Sequence, residues 1–596
     1  MSVGPRANAV GEPPPPPARH GTVLERLQLE GWDVWVMLAL TAVAFVFRFF
    51  SPIMPDFFAH PFDGAPISNC VPNTPVDVQG DLGSLCGLSY PYTRGYKDEN
   101  GQLSPSNGQV FDEVYFPLFA YDDIKGMGSC RPSTVNCKYN YFDPEPPLAK
   151  LMIAAGEWGY GWYRATFQHA GGDYIDLGNN TFGWRIAACI VGTLCVPMMY
   201  LFAKRLWPNR LFALAAATLV CFDGMFFVQS RIGMIDIFPI FLILFAYYLF
   251  LVHLQSRTPS GSLISLFLLG LILGIGIASK WIVLAAWASM IFLLVARAVL
   301  RKVDISSGNQ CGSIWSWGRG EGPPIPGGVP LPTYLVVAIL AFIDLPVLIY
   351  VASWVPFFER GQFVAHWNLL FSHPTAVLGD IGDYNYESYR YHATLRQTHP
   401  YGSPWWSWPL LARPVLYYAE GPGLGVDQFT GQALVARMGD LGNPWIWWTS
   451  LPCLASLPYF IIRHRSFPAT LILFGFVTQY LPWSQVTRVL FLYHMFGGLV
   501  FMVLALAFVL AQVAERWPVS GRSLLLAHLG VAVAFFLYFY PVWTALPISD
   551  PAYGTLVLKN GAYYLGPDTP LWGPKLWLYF CKAYPLPADQ QLWCWD

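Results

Sequence analysis

The sequence predicts a mainly α-helical protein that crosses a membrane many times. Three observations carry that prediction. The 596 residues are 55% hydrophobic and 17% aromatic but only 12% charged, whereas a soluble globular domain carries about 25% charged residues. Eleven apolar stretches approach the roughly 20 helical residues needed to span about 30 Å of hydrocarbon. The loops between them alternate in charge, as topology rules require. The formal net charge of −1 provides no basic footprint for nucleic acid, so none is expected as a partner.

Taken in order, residues 1–31 contain Gly-Glu-Pro-Pro-Pro-Pro-Pro and read as a disordered cytoplasmic tail. A proline run stands where a signal peptide needs a short apolar core. Spans are expected near 33–51, 184–203, 211–229, 235–253, 262–279, 281–299, 332–353, 443–462, 467–483, 490–513 and 523–544. The membrane domain so defined runs from 32 to 545, and a tail occupies 546–596.

Orientation follows from the loops. With the N-terminus in the cytoplasm, the cytoplasmic connections carry Lys204, Arg205 and Arg210, then Arg257, then Arg297, Arg301 and Lys302, then Arg463 and Arg465, then Arg516 and Arg522. All five are basic, which satisfies the positive-inside rule. Two large loops, 53–182 and 354–442, then lie outside with the C-terminal tail. Six of eleven cysteines fall in these external pieces, in three close pairs. Even numbers on an oxidising side predict the disulfides Cys70–Cys86, Cys130–Cys137 and Cys581–Cys594, with buried free thiols as the alternative. Cys311 falls on the cytoplasmic side. No paired CxxC motif points to zinc.

Five regions combine residues suited to chemistry. Asp112 and Glu113 sit among Phe111, Val114, Tyr115 and Phe116. An acid pair in a loop is commonly a solvated surface, but apolar neighbours desolvate a carboxylate and raise its basicity. Asp143, Glu145 and Lys150 border a Pro-Pro entry into an amphipathic run from Leu148 to Tyr163. Lys150 there either meets a phosphate or snorkels from an interfacial helix. Asp223, Arg231 and Asp236 lie close to the external membrane face, where charges are functional or mutually paired. His399, Trp405, Trp406 and Arg413 form an aromatic, cationic string, and Arg488 and His494 flank Phe491 and Tyr493. Aromatics gather at membrane interfaces in any case; they also stack on sugar faces, and Arg matches phosphate oxygens.

In this order, Asp112-Glu113, Pro146-Pro147-Leu148-Ala149-Lys150, Gln229-Ser230-Arg231-Ile232-Gly233-Met234-Ile235-Asp236, Ser279-Lys280-Trp281, the string from His399 through Trp406 to Pro409 and the segment Arg488–His494 resemble the protein O-mannosyltransferase family. That family belongs to the polytopic GT-C glycosyltransferases, which use lipid-phosphate sugar donors. The resemblance runs from about 33 to 545. It implies inverting transfer of mannose from a polyprenyl phosphate to Ser or Thr hydroxyls of exported proteins. Asp112 would be the general base, and Glu113 would orient the loop or the acceptor. Arg231, Arg413, Lys150, Arg488 and His494 would bind the donor phosphate. Tyr115, Asp143, Glu145, Asp236, His399, Trp405 and Trp406 would face the sugar or acceptor. No cofactor is expected, a divalent cation remaining open.

Two departures stand out. Many relatives have a His where Glu145 stands, and the loop 354–442 is too short for the lectin-like β-trefoil of eukaryotic members. The resemblance therefore implies a bacterial enzyme in the plasma membrane, with its active site outside the cytoplasm. Two other readings compete: the same chemistry with another sugar or with a glycolipid or cell-wall glycan acceptor, and a transporter. A transporter is disfavoured by charges gathered at one face and by the absence of two related halves. Oligomeric state is not legible.

Overall fold

The computed structural model describes residues 24, 27–49, 111–125, 144–179, 181–307, 325–358, 371–396, 399, 401–420 and 434–544, with short strand segments at 548–549, 557–559 and 562–564. The three expected disulfides, Asp143, Cys311, and most of both expected tails lie outside the described residues.

Apolar helices dominate. The first, α1 (Gly31–Phe49), is followed by a 3-10 turn at Phe111–Val114 and the short α2 (Phe116–Lys125). Next come α3 (Leu148–Phe167), α4 (Tyr174–Gly178), α5 (Thr181–Leu206), α6 (Arg210–Cys221) and α7 (Gly224–Gln229). The series continues with α8 (Ile237–Leu254), α9 (Pro259–Ser279), α10 (Val283–Ser307), α11 (Leu331–Ile339) and α12 (Leu345–Phe358). A π-helical turn, Leu340–Asp344, joins the last two. The more polar α13 (Pro374–Thr394) follows, and α14 (Pro444–His464), α15 (Phe467–Tyr480), α16 (Phe496–Arg516) and α17 (Ser520–Thr544) complete the bundle.

Among the described residues, eight helices are long and apolar enough to cross a membrane. They match eight of the eleven expected spans. The other three differ in length: α6 has 12 residues and α15 has 14, while α10 is apolar only in its first part. The stretch 211–229, expected as one span, is broken after Cys221. Asp223 causes the break by capping α7. Its Oδ1 accepts from the Phe226 N–H at 3.1 Å, and its Oδ2 accepts from the Asn443 N–H at 3.0 Å and from Trp447 Nε1 at 2.9 Å. A carboxylate with three such donors ends one helix and starts another.

Helices α8 and α16 form the buried centre of the bundle, whereas α1 and the α11–α12 span leave most of their surface unburied. Helix α3 packs on α4 and α5 through glycine. A Cβ on Gly161 would collide with the Tyr174 carbonyl, and one on Gly178 with that of Glu157.

Outside the bundle, strands β1 (Val415–Glu420) and β2 (Leu434–Asp440) pair antiparallel, with a register shift between Leu416 and Tyr418. The pair packs on α7 and on the Phe111–Val114 turn. In the described part of the loop expected at 354–442 are thus a helix, an aromatic 3-10 turn (Trp405–Leu410) and this hairpin.

Candidate active site

The acid pair divides its work. Glu113 is fully buried, and both of its oxygens accept from the Arg185 guanidinium, Oε1 from Nε at 2.6 Å. The same Oε1 accepts from the Gly233 N–H at 2.6 Å. Glu113 therefore ties the 3-10 turn to α5 and to the irregular segment between α7 and α8. Asp112, its neighbour, points elsewhere, as side chains about 100° apart on a helical turn must. Burial, then the charge of Asp236, pushes the Asp112 carboxyl up to about 7; Lys280 opposes this and Glu145 adds to it. That value suits a group that takes a proton near neutral pH.

Lys280 sits between α9 and α10, where a charge interrupts two apolar runs. Its Nζ lies 2.7 Å from Asp236 Oδ1 at the start of α8. Asp236 Oδ2 is buried with no hydrogen-bond partner. Beside this pair opens a cavity of about 620 Å³, whose walls include Glu145, Lys280, Trp281, His392, Trp483 and Arg488. Burial works against ionising Glu145, but Lys280, His392, Arg488 and Lys150 outweigh it and hold the carboxyl below its ordinary range. The cavity wall is thus largely apolar, with Lys280 and Arg488 set against Glu145 as its charged groups. Trp281 and Leu284 also line a second, apolar cavity of about 690 Å³ between α9, α10 and the α11–α12 span.

Several expected phosphate ligands stand apart from this cavity. Arg231 is buried, donates from Nε to the Arg48 carbonyl at 3.0 Å and lies over the Phe227 ring. The Lys150 ammonium donates to the Glu145 carbonyl at 2.8 Å and faces the Phe119 ring. Arg413 is buried over Tyr401. Among the expected cations, Arg488 lines the cavity, with Nη2 3.5 Å from His494 Nε2. His494 stands behind it, stacked on Trp408 and edge-on to Trp483.

The aromatic string frames the end of the bundle that carries this cavity. The Trp405 carbonyl accepts from the Tyr480 hydroxyl at 3.0 Å, and Trp406 is half-exposed. His399 accepts at Nδ1 from the Tyr401 N–H at 3.2 Å and meets the Phe491 ring edge-on. Tyr115 is exposed beside the acid pair.

Sequence reading missed three features. His392, on a tyrosine-rich polar helix, carries no pattern that distinguishes it. Lys280 was visible as part of the Ser279-Lys280-Trp281 motif between two spans, without a site role and without its partner. A buried network also lies behind the acid pair: Gln229 Nε2 donates to the Tyr417 hydroxyl at 2.6 Å and approaches Asp440 Oδ2 at 3.5 Å. Burial pushes the Asp440 carboxyl well above the usual carboxylate range.

Comparison with known proteins gives the site its context. The family model for dolichyl-phosphate-mannose-protein mannosyltransferase matches residues 136–360. The model for the C-terminal four-transmembrane region of protein O-mannosyltransferase matches 377–560. Together they cover more than half of the chain. A polyprenol-phosphate-mannose–protein mannosyltransferase of Mycolicibacterium smegmatis is 25% identical over 494 residues, 76% of this chain and 87% of that protein. One of Mycobacterium tuberculosis is 24% identical over 491 residues, 76% of this chain and 86% of the relative. The Saccharomyces cerevisiae protein O-mannosyltransferase Pmt1–Pmt2 complex, solved with its sugar donor, shares the fold with a TM-score of 0.59 at 14% identity, over 88% of this chain and 92% of the yeast chain. The chain belongs to the protein O-mannosyltransferase family of GT-C membrane glycosyltransferases.

Proposed function

We propose that this protein transfers mannose from a polyprenyl-phosphate donor to Ser or Thr hydroxyls of exported proteins, with Asp112 as general base. The observation that carries the reading is a carboxyl raised to about 7 that feels the charges of Lys280 and Glu145, two residues that wall a cavity together with Arg488. In the proposed reaction, the acceptor oxygen attacks the anomeric carbon on the face opposite the phosphate. Its proton passes to Asp112 as the new C–O bond forms. The bond from the anomeric carbon to the phosphate oxygen breaks, and the electron pair leaves with the polyprenyl phosphate. A single displacement inverts the anomeric centre, so one base is sufficient.

Lys280 and Arg488 would face the phosphate and stabilise the charge that grows on it, an effect strengthened where water is excluded. Asp236 Oδ2, buried and without a hydrogen-bond partner, is suited to a sugar hydroxyl. The apolar cavity adjoining Trp281 would take the first isoprene units. Glu113 would act through position, holding the turn that carries Asp112 against Arg185 and Gly233. Arg231 would stiffen the same segment from within rather than touch the donor.

The proposed orientation puts this site outside the cytoplasm, in a bacterial plasma membrane. Arg185 and Lys204 lie near opposite ends of α5, whose 26 residues span roughly 39 Å at about 1.5 Å per residue. Lys204 pairs with Asp33 at 3.1 Å in the basic end, which the positive-inside rule assigns to the cytoplasm.

The test uses the full chain in lipid nanodiscs with polyprenyl-phosphate-mannose and a Ser/Thr-rich peptide. Mass spectrometry should find a hexose on the peptide. Product from another sugar donor but not from this one would overturn the mannose assignment, and a glycolipid product alone would overturn the acceptor.

A further inference from the structure

We infer that His392 is a ligand of the donor phosphate, that Glu145 holds it in place, and that it binds as the imidazolium. The inference rests on the reading of the 620 Å³ cavity as the donor site.

The argument begins with a charge deficit. Lys280 and Arg488 are the fixed cations on the cavity wall. Lys280 is already paired with Asp236, and Glu145 stands on the same wall. These carboxylates largely cancel the two cations before any anion arrives. A phosphodiester entering such a site gains little unless a further positive charge appears. Among the described residues that line the cavity, His392 is the group able to gain one near neutral pH. His494 is set behind Arg488 and does not line it.

Each neighbour of His392 contributes to that behaviour. From the segment before α3, Glu145 Oε1 lies 3.9 Å from its Nε2. From the connection between α9 and α10 come Lys280 and the Trp281 ring, edge-on at 6.2 Å. From the segment before α16 comes Arg488, and Tyr389 and Tyr391 flank it on its own helix. Burial first, then Arg488 and Lys280, favours the neutral imidazole, while Glu145 and the Pro144 backbone favour the cation. In the empty site the neutral form is favoured. A donor phosphate supplies the negative charge that reverses the balance, so binding takes up a proton. Glu145 keeps the ring oriented, so that the proton can be shared towards the phosphate.

The experiment measures donor affinity against pH with the full-length Asp112→Asn variant in nanodiscs and short-chain polyprenyl-phosphate-mannose. That background stops turnover and removes the other carboxyl that titrates near 7. The ligand is a phosphodiester and keeps one charge throughout, so any pH dependence belongs to the protein. From pH 6 to 8.5, Kd should rise with a slope approaching tenfold per pH unit, the limit for one coupled proton. Calorimetry in buffers of different ionisation enthalpy should register proton uptake. Adding His392→Gln should flatten the profile and weaken binding most at low pH. Adding His392→Arg should give tight binding that ignores pH, which also shows that the site tolerates replacement. An unchanged slope in the His392→Gln protein would overturn the inference and leave the donor site standing. Absence of donor binding at every pH would overturn the donor-site reading and this inference with it.

Discussion

The ammonium of Lys280 and the carboxylate of Asp236 meet at 2.7 Å although 44 residues separate them in the chain. The contact joins the gap between α9 and α10 to the residue that caps the start of α8. Both side chains are largely buried, at 14% and 9% exposed. Removing one partner of a buried pair costs about 3–5 kcal/mol, because the other charge is left alone. Lys280→Met should therefore lower the thermal unfolding midpoint in nanodiscs and weaken donor binding by more than tenfold. Lys280→Met with Asp236→Leu should recover stability without recovering donor binding. Recovery of both would show that the lysine serves structure alone.

Asp112→Asn should reduce kcat by about 10²–10⁴-fold, the usual contribution of a general base. Donor binding near pH 7 should persist. In the wild type the base form is the deprotonated one, and burial with Asp236 pushes the carboxyl up to about 7. At saturating donor, kcat should rise with pH through that value and reach a plateau above it. A rise centred near 4, measured as kcat against pH at saturating donor, would mean that Asp112 titrates as an ordinary carboxyl and is not the base.

Glu113 answers to a different test. Its substitution by Gln removes the charge that Arg185 faces and weakens the acceptor for the Gly233 N–H. The expected loss is about 3–5 kcal/mol of stability, seen as a lower unfolding midpoint. Below that midpoint the variant should retain the pH midpoint of the wild type, since Asp112 still carries the proton. A shifted pH midpoint with unchanged stability would assign Glu113 to the chemistry instead.

Asp223→Ala should break the fold without touching the site. It leaves the Phe226 N–H, the Asn443 N–H and Trp447 Nε1 without their acceptor, and each buried unsatisfied group costs about 1–3 kcal/mol. Limited proteolysis should become faster, and the folded fraction should bind donor with unchanged affinity. A large change in affinity with normal stability would place Asp223 in the binding site.

Most of the bundle was legible because span length and loop charge are local properties. Eight of the expected spans needed no tertiary information. The stretch 211–229 misled because hydropathy averages over Asp223, and only its three donors explain why a charge there ends a helix. The phosphate ligands misled for a related reason. Arg231 and Arg413 look like free cations in the sequence, whereas the folded chain packs them over Phe227 and Tyr401.

The sequence by itself determined the membrane class and the positions of eight spans, and it singled out Asp112 and Glu113, because apolar run length and charge among apolar neighbours follow directly from residue order. Only the tertiary structure decided which acid clamps and which is left to feel the charges of Asp236 and Lys280, and which cations line the cavity. Those outcomes depend on partners 44, 72 and 120 residues apart, as in Lys280–Asp236, Arg185–Glu113 and Gly233–Glu113. The charge of a side chain is written in the sequence; whether that charge is satisfied depends on what the fold brings within 3 Å of it.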